Sequence, residues 1–366
     1  MKHIILHHPL PINPEGTSGS SVRPYKMLTA FERVGYTVEL VAGYASDRLK
    51  AIRRIERDIQ RGRQFLFCYA ESATTPSILT EKHHIPLHPT LDFRFFAKIR
   101  EKGIPLGLYY RDVYWRFPYT QQNLARWKSL ILNIAYRYEW KKYEQLADHL
   151  FVQSHPMIAM LPSPWPSNRI SILPPGCVIQ PWEESLSERN SDCLNLFYVG
   201  GVLPPLYDMR PIVNICRNVK DIHLTLCCRP EEWKIVRSLY EPFGKNVSVV
   251  HAYGSDLLPH YQRADAFIMY RPPDPYLDFV APVKLFEAIG HGLPIITNAN
   301  TETARIIEQE DIGWSASNIE ELNTLLRHLM QNRDAINRKR AHLRQVREHH
   351  TWEARTRQVA SILSGS

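Results

Sequence analysis

The sequence lacks the features that would mark it as a membrane-spanning or secreted protein. No window of its 366 residues approaches about eighteen uninterrupted apolar residues, so no transmembrane helix is predicted. The apolar part of the opening MKHIILHHPLP is too short for a signal peptide. The six cysteines form no CxxC pair, which predicts reduced, mostly buried thiols in a cytoplasmic protein.

Signatures of several ligand classes are also missing. His83, His84 and His88 lie in the long segment 70–89, but no cysteine or carboxylate pattern completes a metal site, so zinc is not expected. A segment of that length without helical periodicity is uncommon unless it has a function, and we interpret it as an acceptor-side loop. Because no RNA- or DNA-binding module is present, nucleic acid is not predicted as a partner.

Charge is distributed unevenly along the chain. The net charge is +8, but residues 1–180 hold 24 Lys and Arg against 14 Asp and Glu, whereas residues 181–366 hold 21 against 23. The excess in the first half favours an anionic ligand or surface there. The sign of the charge alone does not distinguish nucleic acid from an anionic membrane leaflet.

Alternating strand and helix patterns predict an α/β protein with two Rossmann-like, doubly wound domains. An apolar content of 44% and a length of 366 residues suffice for two cores. The composition shifts to Pro, Ser, Trp, Asn and Glu over 163–191, which we interpret as the connection between the domains. We predict domains over 1–180 and 181–347, followed by a final helical segment over 348–366.

The first strand-to-helix connection, PLPINPEGTSGSSVRP, is rich in small residues. It stands where a Rossmann-like domain faces a phosphate. Its spacing is not GxGxxG, so it does not indicate NAD or FAD. The alternative is a flexible surface loop.

The stretch APVKLFEAIGHGLPIITN (281–298) predicts a helix, a turn and a buried strand. Pro282 is suited to the first turn of a helix, and Gly290 and Gly292 to its end. Lys284 and Glu287 lie three residues apart and therefore on one helical face. A lysine, a carboxylate and free backbone N–H groups suit a ligand with an anion and a diol, such as a nucleotide sugar. The alternative is a solvated surface ion pair.

A second polar pair follows the predicted strand 103–110. Arg111 and Asp112 come at its carboxyl end, where open α/β sheets bind their ligands. This position suits chemistry on a substrate, although an internal Arg–Asp ion pair is an equal alternative.

The pattern PxKxxEAxxxGxPII in 282–296 resembles the nucleotide-sugar signature of the GT-B glycosyltransferases, especially the retaining bacterial polysaccharide enzymes of group 1. Segments 16–24 and 103–115 are similar to the same family. The resemblance implies two domains facing a cleft, with the donor held mainly by the second domain, the acceptor by the first, and a C-terminal helix from Trp352 crossing back to the first. It also implies metal-independent transfer of a hexosyl or uronosyl group, with no cofactor other than the donor.

The resemblance assigns roles to individual residues. Glu287 would accept hydrogen bonds from the ribose, and Tyr253 would flank the base. Asp112 and Arg111 would act on the sugar side. The residues expected to face the diphosphate are Gly16, Gly19, Gly200, Gly201, Arg229, Arg271 and Lys284.

Two departures from the family pattern leave the stereochemistry open. Retaining members often carry a histidine where this chain has Arg111 and a glutamate where it has Phe279. Retention is favoured by the overall resemblance, whereas inversion would use Asp112 as the general base. A nucleotide-sugar epimerase and a non-catalytic nucleotide-binding module are the other interpretations.

Aromatic and basic residues interleave from Tyr109 to Lys142. Tyr110, Trp115, Trp127 and Trp140 have the amphipathic character that suits lipid headgroups. We therefore predict a peripheral enzyme on the cytoplasmic face of the membrane that extends a lipid-diphosphate-linked glycan in cell-surface polysaccharide synthesis. The alternative is that these aromatic residues belong to the core.

Overall fold

The computed structural model describes residues 2–14, 16, 19–117, 124–181 and 193–365. The chain divides into two compact units, Met1–Pro175 with Trp352–Ser366, and Gly176–Thr351. The boundaries expected from the sequence, after residues 180 and 347, lie near these divisions. Parts of the predicted first loop, long helix and domain connection (17–18, 121–123 and 182–191) lie outside the described residues.

The first unit is built on a six-stranded parallel sheet. Its strands are β1 (Lys2–His8), β2 (Tyr36–Ala42), β3 (Cys68–Glu71), β4 (Leu106–Tyr109), β5 (His149–Val152) and β6 (Ile170–Ile172). They are arranged in the order β2-β1-β3-β4-β5-β6. Helices in chain order are α1 (Gly19–Arg33), α2 (Ala45–Gln60), α3 (Leu91–Glu101), α4 (Arg126–Leu146) and α5 (His155–Ala159).

The second unit repeats this architecture. Its parallel strands are β7 (Leu194–Val199), β8 (Ile222–Cys227), β9 (Val247–Val250), β10 (Ala266–Met269), β11 (Ile295–Asn298) and β12 (Gly313–Ala316), in the order β12-β11-β10-β7-β8-β9. Its helices are α6 (Arg210–Asn218), α7 (Pro230–Tyr240), α8 (Leu258–Arg263), α9 (Val283–Gly290), α10 (Glu302–Gln309), α11 (Ile319–Gln331) and α12 (Arg333–Val346). The prediction of two doubly wound α/β domains is confirmed.

The last helix, α13 (Trp352–Ser364), belongs to the first unit although it follows the second in sequence. It packs against α1, and Leu363 fills the space beside Gly107 of β4, where a β-carbon would lie 2.6 Å from the leucine. The Trp352 ring lies 5.8 Å from the guanidinium of Arg23. The predicted return of the C-terminal helix to the first domain is therefore confirmed.

The sequence missed several elements because they are short or lie in segments of mixed composition. Helices α3 and α10 and strand β12 were not predicted, and β6 lies within the segment interpreted as a connection. Gly290 was expected to end its helix, and it is the last residue of α9. Its lack of a side chain also serves packing, since a β-carbon there would lie 2.4 Å from the carbonyl oxygen of Val178. Gly292, with φ of +67°, makes the turn.

Two of the four aromatic residues expected at a membrane surface lie in the core. Tyr110 and Trp140 are buried and contact each other edge to face with ring centroids 5.0 Å apart. Trp115 is half-buried and stacks on Tyr136. Trp127 is exposed. The rings of Tyr110, Trp140 and Trp115 therefore pack against other side chains of the protein. Among the described helices, none is long and apolar enough to cross a bilayer.

Candidate functional site

In the second unit, the strand order reverses between β7 and β10. From β7 the chain proceeds outward to β8 and β9, then returns to β10, on the other side of β7, and continues to β11 and β12. The carboxyl ends of strands beside such a reversal form the crevice in which open α/β sheets bind ligands. Helix α9 connects β10 to the parallel strand β11, so its N-terminus lies on the side of this edge.

Lys284 and Glu287 project from the first turns of α9 and contact each other. Lys284 Nζ donates to Glu287 Oε2 over 2.7 Å, and each side chain is 31% exposed. The hydroxyl of buried Tyr261, from α8, donates to the same carboxylate oxygen over 3.3 Å. The tyrosine holds the carboxylate from the protein side, and solvent reaches both charged groups. The predicted i, i+3 placement is thus observed.

His291 completes this cluster. Its ring stacks on that of Tyr261, with centroids 3.8 Å apart and planes within 5°. Burial, assisted by the charge of Lys284, lowers the pKa of His291 to about 4. The imidazole is therefore neutral at physiological pH and adds no second positive charge beside the lysine.

The end of β8 lies in the same neighbourhood. The Gly200 amide donates to the Cys227 carbonyl over 3.0 Å, and the Cys227 thiol donates to the carbonyl of Ala252 over 3.3 Å. Burial raises the pKa of this thiol, and the charge of Lys284 opposes that rise. The structure therefore brings Lys284 and Glu287 close to the ends of β7, β8 and β9.

Gly200 and Gly201 follow β7 and leave the backbone there without side chains. A β-carbon at Gly200 would lie 2.7 Å from the hydroxyl of Tyr198, and one at Gly201 would lie 2.9 Å from the ring of Tyr207. The Tyr198 hydroxyl donates to the Gly201 carbonyl over 2.6 Å. A side chain at either position would have to displace the tyrosine beside the turn, so glycine suits both positions.

The predicted phosphate-binding arginines differ in their surroundings. Arg229 directly precedes α7, and its largely exposed side chain bonds to Glu232. Arg271 is only 15% exposed, and its guanidinium donates to Asp278 over 3.0 Å and to the Pro272 carbonyl over 3.1 Å. Its contacts brace the loop after β10, so a structural role accounts for its position. Arg229 is the more accessible cation. Tyr253 is 71% exposed, in the loop after β9.

The first unit positions its predicted residues at the corresponding edge of its own sheet. Gly16 lies in a turn, donating to the Asn13 carbonyl over 3.2 Å, and Gly19 begins α1. Arg111 follows β4, and its amide donates to Ser72 Oγ over 3.0 Å. Asp112 Oδ1 accepts from the Tyr114 amide over 2.9 Å, which orients the carboxylate in a local turn.

Sequence reasoning missed the partners that orient these groups. Tyr261 carries no local signal, because it lies on another helix. His291 stands inside the motif, but the sequence suggested only a turn there. On the first unit, buried His8 ends β1 close to Arg111 and Glu71, and burial lowers its pKa to about 4. Phe279, where the family carries a glutamate, is buried. Within the described residues, no group of three or more His, Cys, Asp and Glu side chains is placed to hold a metal ion.

Comparison with known proteins places this geometry in context. Residues 210–361 match the family model described as glycosyl transferase-like. No curated protein matches the chain.

Solved structures match over nearly the whole length at low identity. HepE of Anabaena, in complex with UDP and glucose, is 11% identical, with a TM-score of 0.64 and 99% of both chains covered. Sucrose-phosphate synthase of Thermosynechococcus elongatus is 13% identical, with a TM-score of 0.62 and coverage of 99% of this chain and 98% of that one. WaaG, a glycosyltransferase involved in lipopolysaccharide biosynthesis, is 15% identical, with a TM-score of 0.60 and coverage of 99% and 100%. The chain therefore has the fold of the GT-B glycosyltransferases, and its segment 210–361, which holds Lys284 and Glu287, matches the glycosyl transferase-like family.

Proposed function

We propose that this protein is a glycosyltransferase that moves a sugar from a nucleoside-diphosphate sugar to a glycan or lipid-linked glycan acceptor. The observation that carries the proposal is the half-exposed Lys284–Glu287 cluster at the carboxyl edge of the second sheet, inside the segment that matches the family model. HepE is described with UDP and glucose bound, which supports the donor class. WaaG acts in lipopolysaccharide biosynthesis, which supports a role in cell-surface polysaccharide synthesis.

In this proposal the ligand replaces the internal partner of each charged group. Glu287 accepts hydrogen bonds from the two ribose hydroxyls, while Tyr261 keeps the carboxylate in position through its existing contact. Lys284 turns from the carboxylate to the diphosphate. The N–H groups at the start of α9 and the positive end of the helix dipole add to its attraction for the anion.

The leaving diphosphate is stabilised by protein cations and backbone groups in this proposal. Lys284 and Arg229 supply the charge, and the backbone at Gly200 and Gly201 approaches the phosphates closely. Fixed positive charge at a developing anion is an established source of rate enhancement. We propose that this arrangement makes transfer independent of a metal, so EDTA should leave the rate unchanged.

Asp112 and Arg111 belong to the sugar side of this proposal. We propose retention at the anomeric carbon, on the strength of the resemblance to the retaining bacterial enzymes. An inverting course would instead use Asp112 to remove the proton of the acceptor hydroxyl. NMR of the anomeric proton in the first product formed decides between them.

A thermal-shift panel of UDP-, GDP-, ADP- and TDP-sugars tests the donor class. A ligand at about 100 times its dissociation constant stabilises the folded state by about 2.7 kcal/mol, a readily measured shift. Transfer of the labelled sugar from the selected donor to lipid-linked glycan then tests the reaction. A panel in which no nucleotide sugar shifts the melting temperature contradicts the proposal.

Glu287→Ala tests the residue assignment by calorimetry with the selected donor. Loss of charge-assisted hydrogen bonds of about 1.5–3 kcal/mol lowers affinity roughly ten- to hundredfold. Glu241→Ala is the matched control, because Glu241 also pairs with a basic residue on a helix of the same unit, over 2.6 Å to Arg237. Equal donor affinity in the two variants would show that Glu287 does not contact the donor.

A further inference from the structure

Helix α4 presents four large apolar side chains to solvent. Trp127, Leu130, Ile131 and Ile134 are 62%, 63%, 49% and 59% exposed. Their spacing of three, four and seven residues aligns them along one side of the helix. Scattered exposed apolar residues are ordinary, whereas a continuous stripe on one helix face indicates an interaction surface.

This stripe does not serve the core. The buried residues of α4 are Ala135, Tyr136, Glu139, Trp140 and Tyr143. At 100° per residue they cover the side of the helix opposite the stripe. One face of α4 therefore packs against the rest of the unit, and the opposite face is exposed to solvent.

Basic residues border the apolar stripe. Arg126, Lys128, Arg137 and Lys141 are all exposed, and between Arg126 and Lys141 the one carboxylate, Glu139, is buried. Two of these cations stand in the first turn, which has no acidic residue. Positive charge at a helix N-terminus opposes the helix dipole, so this placement does not serve the stability of the helix.

We propose that the exposed face of α4 docks on an anionic lipid bilayer. A helix lying in the interface inserts its apolar side chains at the boundary of headgroups and acyl chains, and its cations contact the lipid phosphates. A second copy of the chain fits this face poorly, because a symmetric contact would bring the same four cations together.

The inference extends the proposed function by naming the surface through which a lipid-linked acceptor would be reached. The insertion is made by Trp127, the exposed member of the four aromatic residues predicted for this role, together with Leu130, Ile131 and Ile134. Vesicle binding requires neither donor nor acceptor. The experiment can therefore fail without affecting the proposed reaction, and the reaction can fail without affecting this result.

Cosedimentation of the full chain with vesicles tests the proposal. Vesicles of phosphatidylcholine containing about one-third phosphatidylglycerol should bind the protein, and vesicles of phosphatidylcholine alone should bind it at least tenfold more weakly. Binding should disappear in ~0.5 M salt, where the Debye length is about 4 Å.

Two pairs of variants separate this surface from general effects of sequence. Leu130→Glu with Ile134→Glu should weaken binding by more than tenfold. Ile235→Glu with Leu239→Glu is its control, because these residues are also exposed and spaced four apart, on α7 of the other unit. Equal losses in the two double variants, with both proteins folded by circular dichroism, overturn the proposal.

The cations are tested in the same way. Arg137→Ser with Lys141→Ser should lower affinity about 25-fold, at roughly fivefold for each charge near the surface. Arg53→Ser with Arg57→Ser removes two exposed charges, also four residues apart, from α2 of the same unit and should change it little. Sedimentation velocity completes the test. A wild-type dimer that Leu130→Glu with Ile134→Glu converts to monomer, without vesicle binding by either protein, assigns the face to self-association and overturns the proposal.

Discussion

A buried carboxyl on α4 should make the stability of the first unit depend on pH. Glu139 is buried, accepts a hydrogen bond from the hydroxyl of Tyr143, and accepts another from the Ser77 amide over 2.8 Å. Burial raises its pKa to about 7, against the effect of these two bonds and with a smaller contribution from the charge of Asp92. The folded protein therefore keeps a proton that the unfolded chain releases near pH 4.5.

The sign and size of the effect follow from that difference. Because the folded state binds the proton more tightly, the contribution of Glu139 to the free energy of unfolding is greatest below about pH 4.5 and falls as pH rises towards 7. Each unit of pKa difference corresponds to about 1.4 kcal/mol, so ionisation of Glu139 costs about 3 kcal/mol above pH 7. Glu139→Gln resembles the protonated acid in shape and hydrogen bonding but cannot ionise. It should therefore remove this cost.

Urea unfolding at pH 5 and pH 8 measures the effect. From pH 5 to pH 8 the stability of Glu139→Gln should rise relative to that of wild type by about 2.5 kcal/mol, because contributions of other groups cancel in the difference. Glu144→Gln, at an exposed position of the same helix, is the control and should show no such gain. Parallel pH dependences for wild type and Glu139→Gln would refute the reasoning.

Three further predictions concern other parts of the chain. Gly290→Ala should lower the free energy of unfolding by about 1–3 kcal/mol in urea curves, because its β-carbon would lie 2.4 Å from the Val178 carbonyl oxygen. Asp112→Asn should reduce turnover on the order of 10²–10⁴-fold with donor affinity unchanged in calorimetry if Asp112 is the base, and near-normal turnover would give it a structural role. Asp92→Asn should cost about 3–5 kcal/mol at neutral pH by leaving buried Arg48 unpaired. Burial by itself raises the pKa of the Asp92 carboxyl, but His7 and Arg48 lower that pKa below its ordinary value of 3.8. Wild type therefore loses this stabilisation only below about pH 4. Calorimetry at such a pH should give wild type and variant similar melting temperatures.

The features predicted correctly from the sequence are those set by neighbouring residues. The α9 motif fixes its own geometry, because residues three apart share a helical face and Gly292 supports the positive φ that the turn requires. The parallel sheets follow from short apolar runs separated by amphipathic helices. The general geometry of open α/β sheets then identifies the loops at the carboxyl ends of the strands as the candidate ligand-binding loops.

The features that were missed depend on packing between distant segments. Tyr261 contacts Glu287 from another helix, and no local pattern announces that contact. Trp127 and Trp140 are thirteen residues apart, so they project from different sides of α4, one to solvent and one to the core. Treating the aromatic residues as one amphipathic set ignored that difference in helical phase.

The ion pairs of the protein differ in the free energy needed to separate their two charges. Arg23 and Glu71 are 2% and 1% exposed, and the Arg23 guanidinium lies 3.6 Å from the centroid of the Tyr109 ring. Opening this pair would strand a charge in the core, at a cost of several kcal/mol. The Lys284–Glu287 pair is 31% exposed on both sides, and such pairs contribute only about 0–1 kcal/mol. It can therefore exchange its internal partner for a ligand at little cost. Of the two, the Lys284–Glu287 pair is the one suited to binding, and the Arg23–Glu71 pair is suited to holding the fold.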